Sequence, residues 1–207
     1  MRRIDHIAYA VPNLKEGCQY LEKLLGCEIL GGGRHLNNGT HNALINLGNE
    51  IYLEILAVDT KNEDIKGPRW MGVDLISSPR VTRWALKSSN LASDLAALKK
   101  YNTDLGNSFK GSRKKQDGTI LKWNMALPLP APAVEIAPFA VDWKDSIHPT
   151  KSLPNECQLL SLELRHPTPS IYHNLFRELD IALSINQSVR TELLLKISTP
   201  NGIVELS

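Results

Sequence analysis

The sequence predicts an α+β protein built by repeating one unit: a strand, a helix and three further strands. Three observations carry this. Between Ile4 and Val11, Ile7, Tyr9 and Val11 alternate with His6, Ala8 and Ala10, which marks a strand with one bulky and one small-residue face. Leu14, Cys18, Leu21 and Leu25 then recur at helical spacing, between Asn13, suited to cap a helix start, and Gly26, suited to end one. The same succession of patterns returns from near Val81 and again from Gln158.

Taken in order, Pro12 ends the first strand and the helix runs to Gly26. Cys27 to Leu30 is predicted as a short strand and the glycine-rich stretch Gly31 to Thr40 as a loop. Asn42 to Leu47 and Glu50 to Ala57 are strands joined by a Gly-Asn turn. Residues 58–79, with Pro68, Arg69, Trp70 and Met71, fall outside the repeat. They form an insertion, either across a pocket mouth or as a short surface helix. In the second copy Trp84 and Leu86 alternate with Ala85 and Lys87, and Leu91, Leu95 and Leu98 mark a helix. Gly106 to Gly111, Leu121 to Leu127 and Val134 to Val141 are strands, with a turn at Gln116-Asp117-Gly118 and a proline-rich break at Pro128 to Pro132. The third copy has a strand face of Leu160, Leu162 and Leu164, a helix from Ser170 to Leu179, and strands at Ala182 to Ile185, Glu192 to Ser198 and Gly202 to Leu206. The expected organisation is one domain over 1–143 (modules 1–57 and 80–143), a linker at 144–155 and a third module at 156–207 packed on the same domain.

A chain of 207 residues can bury a sizeable core. The net charge is +2 with Lys and Arg dispersed, and the one basic cluster, Lys110 to Lys115, runs into the predicted turn. Neither nucleic acid nor a membrane is therefore an expected partner; a small-molecule substrate or ligand is. No run approaches the ~18 apolar residues of a membrane span, and none has the form of a signal core. Cys18, Cys27 and Cys157 are odd in number and lack metal or redox spacing, so free thiols in the cytoplasm are expected.

The chemistry-bearing residues follow from the same alternation. His6 shares its strand face with Ala8 and Ala10, which leave room for a ligand; Tyr52 and Glu54 share the corresponding face of Ile51-Tyr52-Leu53-Glu54-Ile55-Leu56. A carboxylate inside so apolar a strand is costly unless it meets a cation, a metal or a proton donor. An imidazole and a carboxylate on neighbouring strands can hold a divalent metal or move protons beside it. His6 has three readings: metal ligand, polar group of a metal-free pocket, or hydrogen-bonded sheet residue. The glycine-rich stretch precedes a cleft strand, so His35, Thr40 and Asn42 are candidates for ligand contact. Trp123 shares its face with Leu121 and Met125 and is assigned to the core. Trp143 and His148 lie on the irregular run Asp142 to Pro149, where packing explains them poorly, and are candidates for lining a pocket.

The runs Ile4-Asp5-His6-Ile7, Gly32-Gly33-Arg34-His35, Gly39-Thr40 with Asn42, Tyr52-Leu53-Glu54, Trp84-Ala85-Leu86, Asp117-Gly118 with Leu121-Lys122-Trp123, and Pro138-Phe139 with Asp142-Trp143 and His148-Pro149 carry a family resemblance over most of residues 3 to 150. With His6 on a first strand and Glu54 on a fourth, the chain resembles the glyoxalase-like domain family of the vicinal oxygen chelate superfamily. The resemblance implies βαβββ modules whose paired, curved mixed sheets form a cleft, with the helices outside. In metal-dependent members a His or Gln from the first strand and a Glu from the fourth strand of each module bind the metal.

Two pairings satisfy the patterns. Aligning Pro12 with Pro167 sets Ser161 against His6 and Glu205 against Glu54, so modules one and three offer His6, Glu54 and Glu205 as ligands. Aligning Asn13-Leu14 with Asn90-Leu91 sets Arg83 against His6, with Asp142 the carboxylate nearest to a counterpart of Glu54; modules one and two then bring Arg83 and Lys87 to the cleft, which favours an anionic substrate over a cation. The expected function is a metal-assisted lyase or isomerase acting on a small oxygen-rich carbonyl compound or acid. Glu54 would be its catalytic group and Zn, Ni, Mn, Mg or Fe its divalent metal. The alternative is a metal-free sequestering protein of the bleomycin-resistance type. An unpaired third module leaves a sheet edge, for which a homodimer is one remedy.

Overall fold

A computed structural model describes residues 2–35, 37–62, 65, 68–114 and 118–207. Gln116 and Asp117 of the predicted turn, the end of the basic cluster at Lys115, and parts of the insertion at 63–64 and 66–67 lie outside the described residues.

The first module holds β1 (Ile4–Ala10), α1 (Leu14–Leu25), β2 (Leu30–His35), β3 (Thr40–Asn46) and β4 (Tyr52–Val58). The Asn13 side chain caps α1 by accepting from the Glu16 N–H, and Gly26 ends it in the left-handed conformation (φ 73°). The second module holds β5 (Arg80–Lys87), α2 (Leu91–Tyr101), β6 (Ser108–Lys114), β7 (Ile120–Ala126) and β8 (Phe139–Asp142), with Asn90 capping α2. In each module the first strand runs parallel to the fourth. The modules join through antiparallel β1 and β5 on one side and the Arg34–Lys114 bridge of β2 and β6 on the other. The result is a closed eight-stranded barrel in the order β1-β4-β3-β2-β6-β7-β8-β5. α1 packs outside β3 and β4, and α2 outside β7 and β8. Modules one and two are therefore the pair that encloses the interior.

The glycine-rich stretch is a correction. Leu30–His35 is a strand, not a loop, and Thr40 begins the next one. A register shift between Gly31 and Gly33 bulges the strand at Gly32, which bends it to meet β6. The last strand of module two is shorter than its periodicity suggests. Residues 128–138 contain four prolines, which have no N–H for a ladder. Their segment instead turns the carbonyls of Leu129, Ala131 and Ala133 onto the buried Arg83 guanidinium, which also donates to Thr82 O. Arg83 shares His6's strand face but does not line the barrel interior; it secures this loop. Arg83→Met is expected to lower stability by about 3 kcal/mol, read by denaturant unfolding, because it orphans several buried carbonyls at once.

The third unit has β9 (Gln158–His166), α3 (His173–Glu178), β10 (Ile185–Gln187), β11 (Glu192–Thr199) and β12 (Gly202–Leu206). The predicted helix from Ser170 divides into a 3-10 turn at Pro169–Tyr172 and the short α3. The element order repeats, but the topology does not. Its sheet runs β10-β9-β11-β12, so the fourth strand lies at an edge rather than beside the first. Glu205 is accordingly exposed and pairs with Lys196, 3.3 Å away across β11 and β12. The expectation that Glu205 joins His6 and Glu54 fails for this reason. The unit rests on the barrel at several points. Phe176 meets Trp84, and Lys100 pairs with Glu178. Cys157 and Cys27 face each other with sulfurs 3.5 Å apart, and Asn201 donates to the Lys23 and Leu24 carbonyls at the end of α1. No helix among the described residues is long and apolar enough to cross a membrane.

Candidate functional site

The barrel interior holds a cavity with about 330 Å³ of empty space, counting its opening to solvent. Its polar lining is His6 from β1, His35 from β2, Asn42 from β3, Glu54 from β4 and Arg113 from β6. Tyr52, Trp70, Trp123, Met125, Phe139 and Trp143 form most of the apolar wall. Parity explains the gathering: inward positions alternate along each strand, so His6 and Glu54 face each other while Ile7, Leu53 and Ile55 pack behind. The insertion reaches the same cavity through Trp70. The buried Met71 and Gly72 that follow adopt left-handed backbone (φ 56° and 65°), a conformation costly for Met71.

Asp5 departs from the parity. The register of β1 on β5 shifts between Ile4 and His6, a bulge that leaves Asp5 and His6 side by side. Asp5 Oδ1 lies 2.7 Å from His6 Nδ1, and Oδ2 accepts from Trp143 Nε1 at 2.8 Å and from His148 Nε2 at 3.3 Å. His148 Nδ1 in turn meets Thr150 Oγ1 at 2.8 Å. Burial, the largest influence on the Asp5 carboxyl, would raise its pKa. The hydrogen bonds from His148 and His6, with the attraction of both rings, outweigh it and hold the group at about 2. An ionised carboxylate only accepts, so His6 carries its proton on Nδ1 and turns Nε2 to the cavity. Tyr52 stacks on the imidazole at 4.7 Å and Phe139 meets it edge-on at 5.2 Å, which fixes the ring plane.

Glu54 is held from the other side. Asn42 Nδ2 donates to Glu54 Oε1 at 2.6 Å, and Asn42 Oδ1 accepts from Arg113 at 3.1 Å. A Cβ at Gly32 would collide with both Asn42 Oδ1 and the Arg113 guanidinium, so the bulge glycine is what admits this relay. Glu54 Oε2 is left facing His6 Nε2 at 3.7 Å. That is too long for a hydrogen bond, and a substrate carbon about 3 Å from both atoms would sit beside the line that joins them, on the cavity side. His35 Nδ1 lies 2.9 Å from Thr40 Oγ1, so Thr40 positions His35 and does not reach the cavity. Burial pushes the His35 imidazole down to about 4, with Glu54 opposing and Arg113 adding to the shift, so His35 is neutral at pH 7.

The two modules are related by a local pseudo-twofold, legible in the register: His6 sits opposite Ala85, and Ala8 opposite Arg83. The equivalent of His6 is thus Arg83. Glu54 pairs with Ala8 and Phe139 with Ala85, so the equivalent of Glu54 is Phe139. Asp142 faces away from the cavity and pairs with Lys144. Lys87 likewise pairs outside the cavity, with Glu50 at 2.8 Å. The second half of a metal-binding set is therefore replaced by a cation turned elsewhere and a phenyl ring. No group of three or more His, Cys, Asp or Glu among the described residues is placed to hold a metal ion. A catalytic zinc site takes three protein ligands. His6 and Glu54, the latter with one oxygen already bound by Asn42, are two facing donors, one short of that number.

Of the residues singled out in the sequence, His6, His35, Asn42, Glu54 and Trp143 line the cavity; Thr40 and His148 stand behind it; Arg83 and Glu205 serve elsewhere. Trp123, assigned to the core, is a cavity wall, and its ring fits because its cross-strand neighbour is Gly111. Three contributors were not anticipated. Asp5 stands in the run that carried the family resemblance, but alternation sends it outward. Arg113 belongs to a basic cluster that reads as a solvated turn, and Trp70 lies in the insertion.

A barrel of two βαβββ modules closed around a His–Glu cavity defines a protein of the vicinal oxygen chelate superfamily. Within it, the chain belongs to the glyoxalase-like domain family, whose profile matches residues 4–179. A hypothetical protein from Staphylococcus aureus is similar over the full length, covering 100% of this chain and 99% of that one at 15% identity and a TM-score of 0.67. That likeness extends the shared fold to the third unit. A methylmalonyl-CoA epimerase from Mycobacterium tuberculosis is 16% identical over 68% of this chain and 87% of its own, with a TM-score of 0.44. A hypothetical protein from Bacillus halodurans is 14% identical over 70% of this chain and 97% of its own, also at 0.44. No curated protein matches the chain.

Proposed function

We propose that this protein is an acid–base enzyme of the isomerase type, moving a proton at a carbon beside a carbonyl group in a small oxygen-rich substrate. The observation that supports it is the 3.7 Å gap between His6 Nε2 and Glu54 Oε2, with each group fixed from behind. Glu54 removes the proton from carbon. The electron pair moves onto the carbonyl oxygen as an enolate, and the protonated Glu54 returns a proton to the same carbon. Where a hydroxyl stands on the neighbouring carbon, the His6 Nε2 lone pair takes its proton and passes it to the enolate oxygen, with Asp5 stabilising the imidazolium in between. Orientation is supplied in advance by Asn42, Tyr52 and Phe139, and the aromatic walls exclude water. A protein that only bound its ligand would use the same walls, but it would have no use for two opposed titratable groups.

The reading is tested by deuterium uptake from D2O into small carbonyl acids, followed by NMR with the full chain. Uptake above the buffer rate supports it, and uptake no faster than buffer for every compound that binds removes it. Because His6 and Glu54 can carry the proton transfer by themselves, exchange is expected to persist after exhaustive chelation. A loss of rate restored by one equivalent of a divalent metal would return the metal-assisted mechanism.

A further inference from the structure

The cavity's hydrogen-bonding capacity is unbalanced, and the imbalance describes the ligand. Three tryptophans line it. The Trp143 N–H goes to Asp5, whereas the Trp123 N–H finds only the Met125 thioether at 3.2 Å, a weak acceptor. The Trp70 N–H is buried and has no hydrogen-bond partner among the described residues, in a residue only 9% exposed. Buried N–H groups in native proteins are satisfied, and an empty one marks a place where something else accepts. Arg113, 5% exposed, lines the same space. Among the described residues no carboxylate pairs with it directly, because Asn42 stands between its guanidinium and Glu54. A buried cation calls for an anion. At Trp70 and Arg113 the cavity thus offers donors and a positive charge without a matching anion.

We infer that the substrate is a small, flat carboxylate carrying a carbonyl, its carboxylate held by Arg113 and the Trp70 N–H and its reacting carbon within reach of both Glu54 and His6. A guanidinium presents a planar fork that matches a carboxylate. The Trp70, Trp123, Trp143 and Phe139 rings leave room for an unsaturated or aromatic body. The empty space of about 330 Å³, which includes the opening to solvent, admits at most one ring or a short chain. This deepens the proton-transfer reading of the same cavity and rests on it for the placement of the reacting carbon.

The test uses the full chain with phenylpyruvate and its methyl ester. Affinity is measured by calorimetry, and deuterium uptake at the benzylic carbon by NMR. The acid is expected to bind at least tenfold more tightly than the ester. Arg113→Gln is expected to erase that preference by weakening the acid about ten- to hundredfold. Trp70→Phe, which keeps a ring and removes only the N–H, is expected to weaken the acid about three- to tenfold and leave the ester unchanged. Equal binding of acid and ester, failure of both to bind, or a Trp70→Phe variant that binds the acid as the parent does would overturn the inference, even if Arg113→Gln does not fold. The two readings fail separately. Tight, Arg113-dependent binding without enzyme-dependent deuterium uptake leaves the carboxylate site standing and removes the proton transfer. Equal uptake into acid and ester does the reverse.

Discussion

Glu54→Gln is expected to lower deuterium exchange about 10²- to 10⁴-fold while leaving ligand affinity and the fold intact. The amide is nearly isosteric with the carboxylate, and its oxygen can still accept from Asn42 Nδ2, so the Gly32–Asn42–Arg113 packing is preserved. What disappears is the proton-accepting capacity of the oxygen that faces His6. The measurement is the exchange rate under saturating ligand, with affinity measured in parallel. A variant that exchanges within threefold of the parent would shift the base role elsewhere. A variant with normal chemistry and weakened binding would make Glu54 a recognition group.

Stability should fall with acid in two steps, and Asp5→Asn should reduce the second, which the lowered Glu50, Asp59 and Glu163 carboxyls share. His35 has its pKa lowered from 6.5 to about 4, so the folded protein binds fewer protons than the unfolded chain between those values. Its contribution is fully present above pH 6.5 and is lost as pH falls to 4, which amounts to about 3 kcal/mol. Asp5 is lowered from 3.8 to about 2, so its contribution holds above pH 4 and is lost as pH falls through 2, about 2 kcal/mol more. Asp5→Asn removes its own share of the second loss. It also costs stability at neutral pH, because the Trp143, His148 and His6 donors lose a charged acceptor. About 3 kcal/mol is expected, or roughly 6–12 °C in the melting temperature of a chain this size. Denaturant midpoints measured from pH 7 to pH 2 on both proteins check the claim. Identical acid profiles would show that Asp5 is not ionised in the folded protein. The same variant tests positioning, since exchange should fall through kcat with KM little changed if Asp5 acts on His6 alone.

Local patterns carried much of this far. The caps at Asn13, Gly26 and Asn90 mark the helices, because capping chemistry involves residues within one turn of each other. Period-two alternation brings His6 and Glu54 inward, because adjacent strands of a sheet share their faces. The same device fails where the period is reset. One extra residue at the β1 bulge turns Asp5 toward His6, and nothing in Ile4-Asp5-His6-Ile7 announces that residue. The glycine-rich strand reads as a loop because strand propensity reflects packing, and the packing partner of β2 is β6, far along the chain. The third unit keeps the element order of the modules while pairing its strands differently, since order constrains connection lengths and not which edges meet.

By itself, then, the amino-acid order determined the two modules, their helices, and an imidazole and a carboxylate turned to a common side. Only the tertiary structure decided which modules close on each other, that Arg83 and Phe139 stand where a second pair of ligands would be, and that Asp5, Arg113 and Trp70 complete the cavity. The physical reason is range. Alternation and capping are set by neighbours a few residues apart. Barrel closure brings together groups separated by 71 positions in the case of Asn42 and Arg113 and 138 in the case of Asp5 and Trp143, and their contacts follow from strand register, which no local pattern encodes.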